Sequence, residues 1–434
     1  MRKILKENNS LFLMFVFFLL TLLFFNTSNA DTVWNYGMAH AIKIGEIPYK
    51  DFNIITTPLY PLFMSSFLFL KDSYFVYLFE QAILCTVLFY FVHKELKEKT
   101  ILFYFLVSIP FFTVFLPNYN FFAFLLVIMI LSFEKKENND ILIGILLGLL
   151  FCTKHTIGIS IILFSLISTF SWKRIGKRFL FSLIPIGLLF LYLNLTNSLK
   201  DFINLSFLGL FDFGKSNATI SIFYLIVGIL IFGYTCYQIY KNPKDYHYYY
   251  LLGSFSFIVP IVNMDHAVFL IGVFLFIVLR NMKTKIAFPS SYLILLFSGI
   301  ILVNAFFNYS NYSGIQSEFQ YFSTRFMSQE DARYVSNLLK KYKDTPNSYM
   351  ISMDSMLYDI EANHKITYFD IPLYGNFGYN GIDHLKKKID SMHGAYFFIQ
   401  ESKNPQFIGE LCDYIKEKGT FIESIGSNQI YQMS

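Results

Sequence analysis

Eleven apolar runs, separated by short polar connectors, fill most of the first 306 residues of this 434-residue chain. They lie near 10–26, 73–92, 100–117, 120–133, 141–153, 157–171, 178–195, 219–240, 248–263, 266–281 and 286–306. The chain is 55% hydrophobic and 15% charged, with 53 Phe and 31 Tyr, whereas soluble domains carry about 25% charged residues. No soluble core hides that much apolar surface, so the runs belong in lipid as helices. Several fall short of the roughly 20 residues of a full span, which leaves their bounds soft. The expected fold is a polytopic α-helical membrane protein with about 11 transmembrane helices. Cys85, Cys152, Cys236 and Cys412 form no C-x-x-C pair and suggest neither a disulfide framework nor a zinc site. The net charge of +5 is modest, and the basic residues cluster between apolar runs. That pattern reads as topology and not as nucleic-acid binding.

Positive charge stays on the cytoplasmic side of a membrane. With Arg2 and Lys3 inside, eleven spans place connectors 93–99, 134–140, 171–177, 241–247 and 281–285 inside as well. These hold Lys94, Lys97, Lys99, Lys135, Lys136, Lys173, Arg174, Lys177, Lys241, Lys244, Lys283 and Lys285. The N-terminus is then cytoplasmic and the C-terminus extracytoplasmic in a plasma membrane. Segment 58–70 starts with Pro58 and Pro61 and reads as an interfacial helix on the outer surface. Counted as a span, it would turn every later basic connector outward. Residues 1–30 also fit a cleavable signal peptide, which would leave Asp31 on the same side. After about residue 306 the pattern changes. An amphipathic helix over 328–342, a strand at 349–353, a helix at 383–391, a strand at 395–399, a helix at 406–418 and a hairpin over 420–433 predict a small α/β domain at 307–434.

Four polar features fall on the outer face under this topology. The first is the connector 27–72, with Asp31, His40, Lys43, Glu46, Lys50 and Asp51. A carboxylate here can take a proton from a hydroxyl or bind a cation, although Asp31 also suits the cap of an interfacial helix over 32–44. The second is Asn118-Tyr119-Asn120, whose amides can bind a sugar hydroxyl or cap a helix. The third is Lys154-His155, where two basic groups end a span on the side that disfavours positive charge. They suit a phosphate oxyanion, and snorkelling to lipid headgroups is the plainer reading. The fourth is Asp265-His266, a pair that can orient an imidazole, or a simple polar turn. Each feature alone is weak, but all fall on one side of a topology fixed by other residues.

Asp31, the stretch Gly45-Glu46-Ile47-Pro48-Tyr49-Lys50-Asp51-Phe52, the prolines Pro58 and Pro61, Thr153-Lys154 and Asp265-His266 together resemble the GT-C superfamily. The likeness is to bacterial relatives of protein O-mannosyltransferases and aminoarabinose transferases. It covers the architecture of most of the chain and the motifs of about 40 residues. The resemblance implies an inverting glycosyltransferase at the outer membrane face. The donor would be a polyprenyl-phosphate sugar and the acceptor an envelope glycan, lipid or protein. Asp31 would be the base, with Asp51, Lys50, Asn118, Asn120, Lys154, His155, Asp265 and His266 binding substrate. Two departures bear on a metal: Thr32 follows Asp31 where many relatives have a second acid, and Asn118 to Asn120 stand where many have an aspartate. A divalent cation such as Mg at Asp31 stays open, but amides are poorer ligands than carboxylates. Two other classes remain. A glycan polymerase typically relies on outer arginines, and only Arg325 and Arg333 lie outside. A flippase or transporter calls for charges at the span centres, which read as almost uncharged.

Overall fold

The computed structural model describes residues 2–24, 30–96, 106, 118–134, 139–169, 171–217, 219–282, 319–322, 329–353, 355–365, 369, 372–402 and 407–434. Side chains at 2–10, 23–24, 30–31, 215–217 and 329–331 lie outside this description. So do the predicted runs at 100–117, apart from Leu106, and at 286–306.

The other nine predicted runs are helical. They are α1 (Arg2–Phe24), then, after α2 (Ala30–Lys43) and α3 (Leu59–Leu68), α4 (Tyr74–Leu96), α5 (Tyr119–Phe133), α6 (Asp140–Thr153), α7 (His155–Ser168) and α8 (Trp172–Leu195). The connector between the predicted runs 178–195 and 219–240 contains α9 (Leu199–Ile203), a π-helical turn (Asn204–Leu208) and α10 (Gly209–Asn217). Then come α11 (Ile222–Lys241), α12 (Tyr246–Gly253), which runs on into a 3-10 turn (Ser254–Ile258), and α13 (Met264–Asn281). Among the described residues, α4, α8, α11 and α13 are long and apolar enough to cross a membrane, while α5, α6 and α7 are shorter apolar helices. The apolar window of α4 is 61% buried and that of α11 only 17%, so α4 is central and α11 peripheral. Leu183, Leu188 and Leu191 on α8 and Ile226, Ile229 and Leu230 on α11 are exposed. Those faces suit lipid, which solvates leucine as well as a protein core does.

One set of helix ends is tied by charge. Arg178 of α8 is fully buried. It pairs with Glu134 at 2.8 Å and Asp140 at 2.8 Å, and it donates to Ser165 Oγ at 3.1 Å and Tyr250 OH at 3.3 Å. Arg174 adds a second contact to Asp140 at 3.0 Å. Arg280 of α13 donates to the Leu131 carbonyl at 3.1 Å and to His247 Nε2 at 2.6 Å, and it faces Glu95 at 3.4 Å. All these residues sit at or near the ends predicted to face the cytoplasm. From there α6 climbs against α8 through Gly144 and Gly148. A Cβ on Gly144 would lie 2.7 Å from the Arg178 carbonyl, and one on Gly148 would collide with the Ser182 carbonyl. Small residues four apart allow this close approach.

The C-terminal elements are α14 (Gln329–Tyr342), β1 (Ser348–Ile351), α15 (Ser355–Glu361), α16 (Gly381–Asp390), β2 (Tyr396–Ile399), α17 (Gly409–Lys418), β3 (Gly419–Ile425) and β4 (Asn428–Met433). The sheet order is β1-β2-β4-β3, with β1 and β2 parallel and the other pairs antiparallel. Six predicted features appear within a few residues of their expected places: the amphipathic helix, the two strands, the two later helices and the hairpin. The helix α15 between β1 and β2 was not foreseen.

Three expectations need correction. Helix α2 is not interfacial, because residues 32–41 are buried on every side. A Cβ on Gly37 would run into the Met356 side chain, so α15 lies directly on α2. Helix α3 is only half at the surface: Tyr60, Met64 and Leu68 face the core, while Phe69 and Leu70 beyond it are exposed. Nor is every predicted run uncharged away from its ends, since Glu80 of α4 is fully buried within 73–92. Arg178 is the first residue of the predicted run 178–195, and only its burial among acids shows what it does.

Removing one partner of a buried charge group leaves the others desolvated and unpaired. Arg178→Met should therefore cost about 3–5 kcal/mol, seen as a lower unfolding temperature of detergent-purified protein. The triple variant Arg178→Met, Glu134→Gln, Asp140→Asn should regain a substantial part of that loss. Equal instability of the single and triple variants would contradict the ion-network account.

Candidate functional site

At the opposite ends of the same helices, three chain turns meet. Asn118 caps α5: its Oδ1 accepts from the backbone N–H of Asn120 at 2.9 Å and of Phe121 at 3.2 Å. This satisfies helix donors that otherwise stay orphaned. Asn118 is thus a structural cap, the plainer of its two readings. Asn120 is different. Its side-chain Oδ1 accepts from Lys154 Nζ at 2.7 Å, and the ammonium also lies 5.5 Å from the centre of the Tyr119 ring. Lys154 occupies the single extended residue between α6 and α7. The turn is pinned from above by Thr57 Oγ1, which donates to the Phe151 carbonyl at 2.7 Å.

His155 follows, buried, with its ring 4.8 Å from that of Phe207 in the π-helical turn. From the third turn comes His266, whose imidazole feels the charge of Lys154, as does that of His155. The structure thus brings Asn120, Lys154, His155 and His266 to one place. The expected orienting pair of Asp265 with His266 does not form. Asn263 caps α13 and accepts from the His266 backbone N–H at 3.2 Å and from Nδ1 at 2.9 Å, while its amide donates to Asp265 Oδ2 at 3.4 Å. The residue at i−3 orients the imidazole because the cap geometry places its oxygen over the first helical turn.

Electrostatics single out Lys154. Burial pushes its ammonium down to about 8, and among the described residues no carboxylate lies at ion-pair distance from it. A desolvated cation held by a neutral amide is a ready seat for an anion.

Other predicted residues serve the framework. Asp51 Oδ2 accepts from the Ile47 N–H at 2.7 Å and closes the Pro48–Phe52 turn. Tyr49 sits in that turn at φ 71°, fully buried, and its hydroxyl donates to the Thr56 carbonyl at 2.6 Å. Lys50 is exposed beside it. The backbone of Asp31 lies in the first turn of α2.

Two carboxylates that the sequence did not flag hold this end together. Asp72 accepts from the Tyr36 hydroxyl at 2.9 Å and His40 Nδ1 at 2.8 Å, and Lys43 stands at 3.3 Å. Burial pushes the Asp72 carboxyl up, but the bonds from His40 and Tyr36 and the charge of Lys43 win and hold it below its usual value. Tyr36 is raised by burial and by the Asp72 charge. Glu361 at the end of α15 accepts from the backbone N–H groups of Gln320, Tyr321 and Phe322 at 2.5, 3.0 and 2.7 Å. Burial raises its carboxyl and those three donors oppose the rise. Tyr321 then packs on His40 and Phe322 on Tyr36, with ring centres 5.1 and 5.0 Å apart. No spacing rule links Asp72 to residues about thirty positions earlier, so only the fold reveals this clamp.

The lysine-centred cluster does not suit a divalent cation. An ammonium at its centre repels one, and among the described residues no group of three or more His, Cys, Asp or Glu is gathered to bind one.

No family model and no curated protein matches this sequence. The fold, however, is similar to that of ArnT from Cupriavidus metallidurans in the apo state. The TM-score is 0.52, 98% of each chain is covered, and identity is 8%. That likeness shows a common fold over nearly the whole of both chains. At such low identity the activity has to be argued from the residues themselves.

A lysine that titrates near 8 carries its proton below that pH and loses it above. Binding of a short isoprenyl phosphate such as farnesyl phosphate to purified protein should therefore weaken as pH rises through about 8. Lys154→Gln should weaken binding roughly tenfold at pH 7 and flatten the pH profile, while Lys154→Arg keeps binding strong past pH 8. An unchanged profile in Lys154→Gln would remove Lys154 from the anion seat.

Proposed function

We propose that this protein is a glycosyltransferase that moves a sugar from a polyprenyl-phosphate donor to an envelope acceptor at the outer face of the plasma membrane. One observation carries the reading: a desolvated lysine, without a carboxylate partner among the described residues, stands where three turns of a GT-C fold converge. The orientation follows from charge. Among the described residues, the basic connectors 171–177 and 241–247 and the Arg178 and Arg280 networks gather at one end, which the positive-inside rule puts in the cytoplasm. Lys154 and the α/β elements then lie outside, away from nucleotide sugars, so a lipid must deliver the donor.

The proposed step balances simply. Asp31 takes the proton of an acceptor hydroxyl, whose oxygen attacks the anomeric carbon. The bond from that carbon to the phosphate oxygen breaks, and its electron pair leaves with the polyprenyl phosphate. Lys154 neutralises the charge that develops on that phosphate, with His155 and His266 flanking it. Attack opposite the leaving group inverts the anomeric centre, and no covalent enzyme intermediate forms. Asn120 acts as a positioning residue, because it fixes the lysine that meets the phosphate.

The test is mass spectrometry of polyprenyl-phosphate lipids and envelope glycans. The strains are a deletion and the deletion carrying wild type, Asp31→Asn or Lys154→Gln. Accumulation of one polyprenyl-phosphate sugar together with loss of one glycan decoration is expected in the deletion and both variants, reversed only by wild type. Full complementation by Asp31→Asn would remove it as the base. An unchanged set of lipids and glycans in the deletion would favour transport over transfer.

A further inference from the structure

A cavity of about 550 Å³ lies where the first outer connector, the α9–π-turn segment and the loop leading into α16 meet. Its size falls within the range of small-ligand sites. It is built, and not a gap between loosely joined parts. A Cβ on Gly209 would lie 2.8 Å from the Gly378 Cα, and one on Gly378 would lie 2.8 Å from the Asn204 side chain. Gly375 meets the Phe213 backbone too closely for any Cβ. Gly375 and Gly378 also hold φ of 89° and 76°, which a glycine adopts without strain. These close approaches weld the C-terminal elements to α10 and the π-helical turn, and such turns are frequent at functional sites.

The lining has a chemical character. Lys200 and Lys388 line it from opposite segments, the first exposed and the second half-buried in the wall, and Asp201 and His384 line it too. Burial lowers the Lys388 ammonium, which marks it as a partly desolvated charge. Asn53 and Asn204 bring amides from two further positions, and the aromatic ring of Tyr379 adds an apolar surface. Two ammonium groups against the one carboxylate of Asp201 leave the lining net positive, which suits an anion; amides suit hydroxyls, and a ring face suits the C–H face of a pyranose. Tyr49, in the same turn as Asp51, forms part of the wall, so the cavity adjoins the connector that carries the proposed base.

We propose that this cavity seats an acidic sugar unit of the acceptor, a glycosyl residue bearing phosphate or carboxylate. Lys200 and Lys388 hold the anionic group, and Asn53 and Asn204 hold the ring hydroxyls. The assignment to the acceptor rests on the transferase reading; the affinity for an acidic sugar does not.

The test is saturation-transfer NMR titration of the full-length protein in phosphatidylcholine nanodiscs. The probes are glucose 6-phosphate, glucuronate, glucose and inorganic phosphate. Binding of one or both acidic sugars is expected, with glucose roughly tenfold weaker or undetected. The better of the two acidic probes identifies the anionic group. Lys200→Gln should weaken that probe several-fold, and the double variant with Lys388→Gln should abolish its binding. Lys200 is exposed, so its substitution leaves folding intact. Asp31→Asn should bind like wild type. Equal affinity of wild type and double variant would overturn the proposal, as would inorganic phosphate binding as tightly as glucose 6-phosphate, an adventitious ion only. Acidic-sugar binding without any glycan change in the deletion strain would refute the transferase reading and leave the sugar site standing.

Discussion

The buried guanidinium of Arg178 is the interaction on which the arrangement of the helices depends. It touches Glu134 after α5, Asp140 at the start of α6, Ser165 of α7 and Tyr250 of α12 at once. A charge without water demands such a set of partners, and the demand fixes rotation and height for every helix that supplies one. Helix α6 is then locked along α8 by Gly144 and Gly148, and its 14 residues rise about 21 Å to Thr153. Lys154 comes next in the chain. The position of the lysine at one end is thus set by an ion network at the other.

The two ends solve opposite problems. At the Arg178 end, each charge meets an opposite one and the cluster is closed. At the Lys154 end, the cation meets an amide, two imidazoles feel its charge, and that charge remains available. A pair that is fully satisfied stabilises; one held short of neutrality can bind. The difference separates a structural network from a candidate site, though both read in sequence as scattered polar residues near helix ends.

The C-terminal elements are fastened to this outer end by a second pair of interactions. Asp72 gathers Tyr36, His40 and Lys43, and Glu361 gathers three backbone donors at 320–322. The rings of Tyr321 and Phe322 close the space between these carboxylates. Helix α2 is buried in the process, which explains why a segment with an amphipathic pattern is covered on every face. The same closure, sealed by Gly209 and Gly378, leaves the 550 Å³ cavity beside it.

Local rules made the helices legible. Hydrophobic run length, basic connectors and capping residues gave the helical runs among the described residues, the strands of the tail and the face on which Lys154, His155 and His266 gather. These signals act within a few residues of chain, so the sequence alone determined them. Which polar residue meets which was decided by the tertiary structure alone. Asn263 and not Asp265 orients His266, and Asn118 caps a helix while Asn120, two residues on, holds the lysine. Asp72, Glu361 and the lining of the cavity come from segments separated by tens to hundreds of residues. Desolvation makes each buried polar group seek a partner, but only the packed helices determine which partner is within reach.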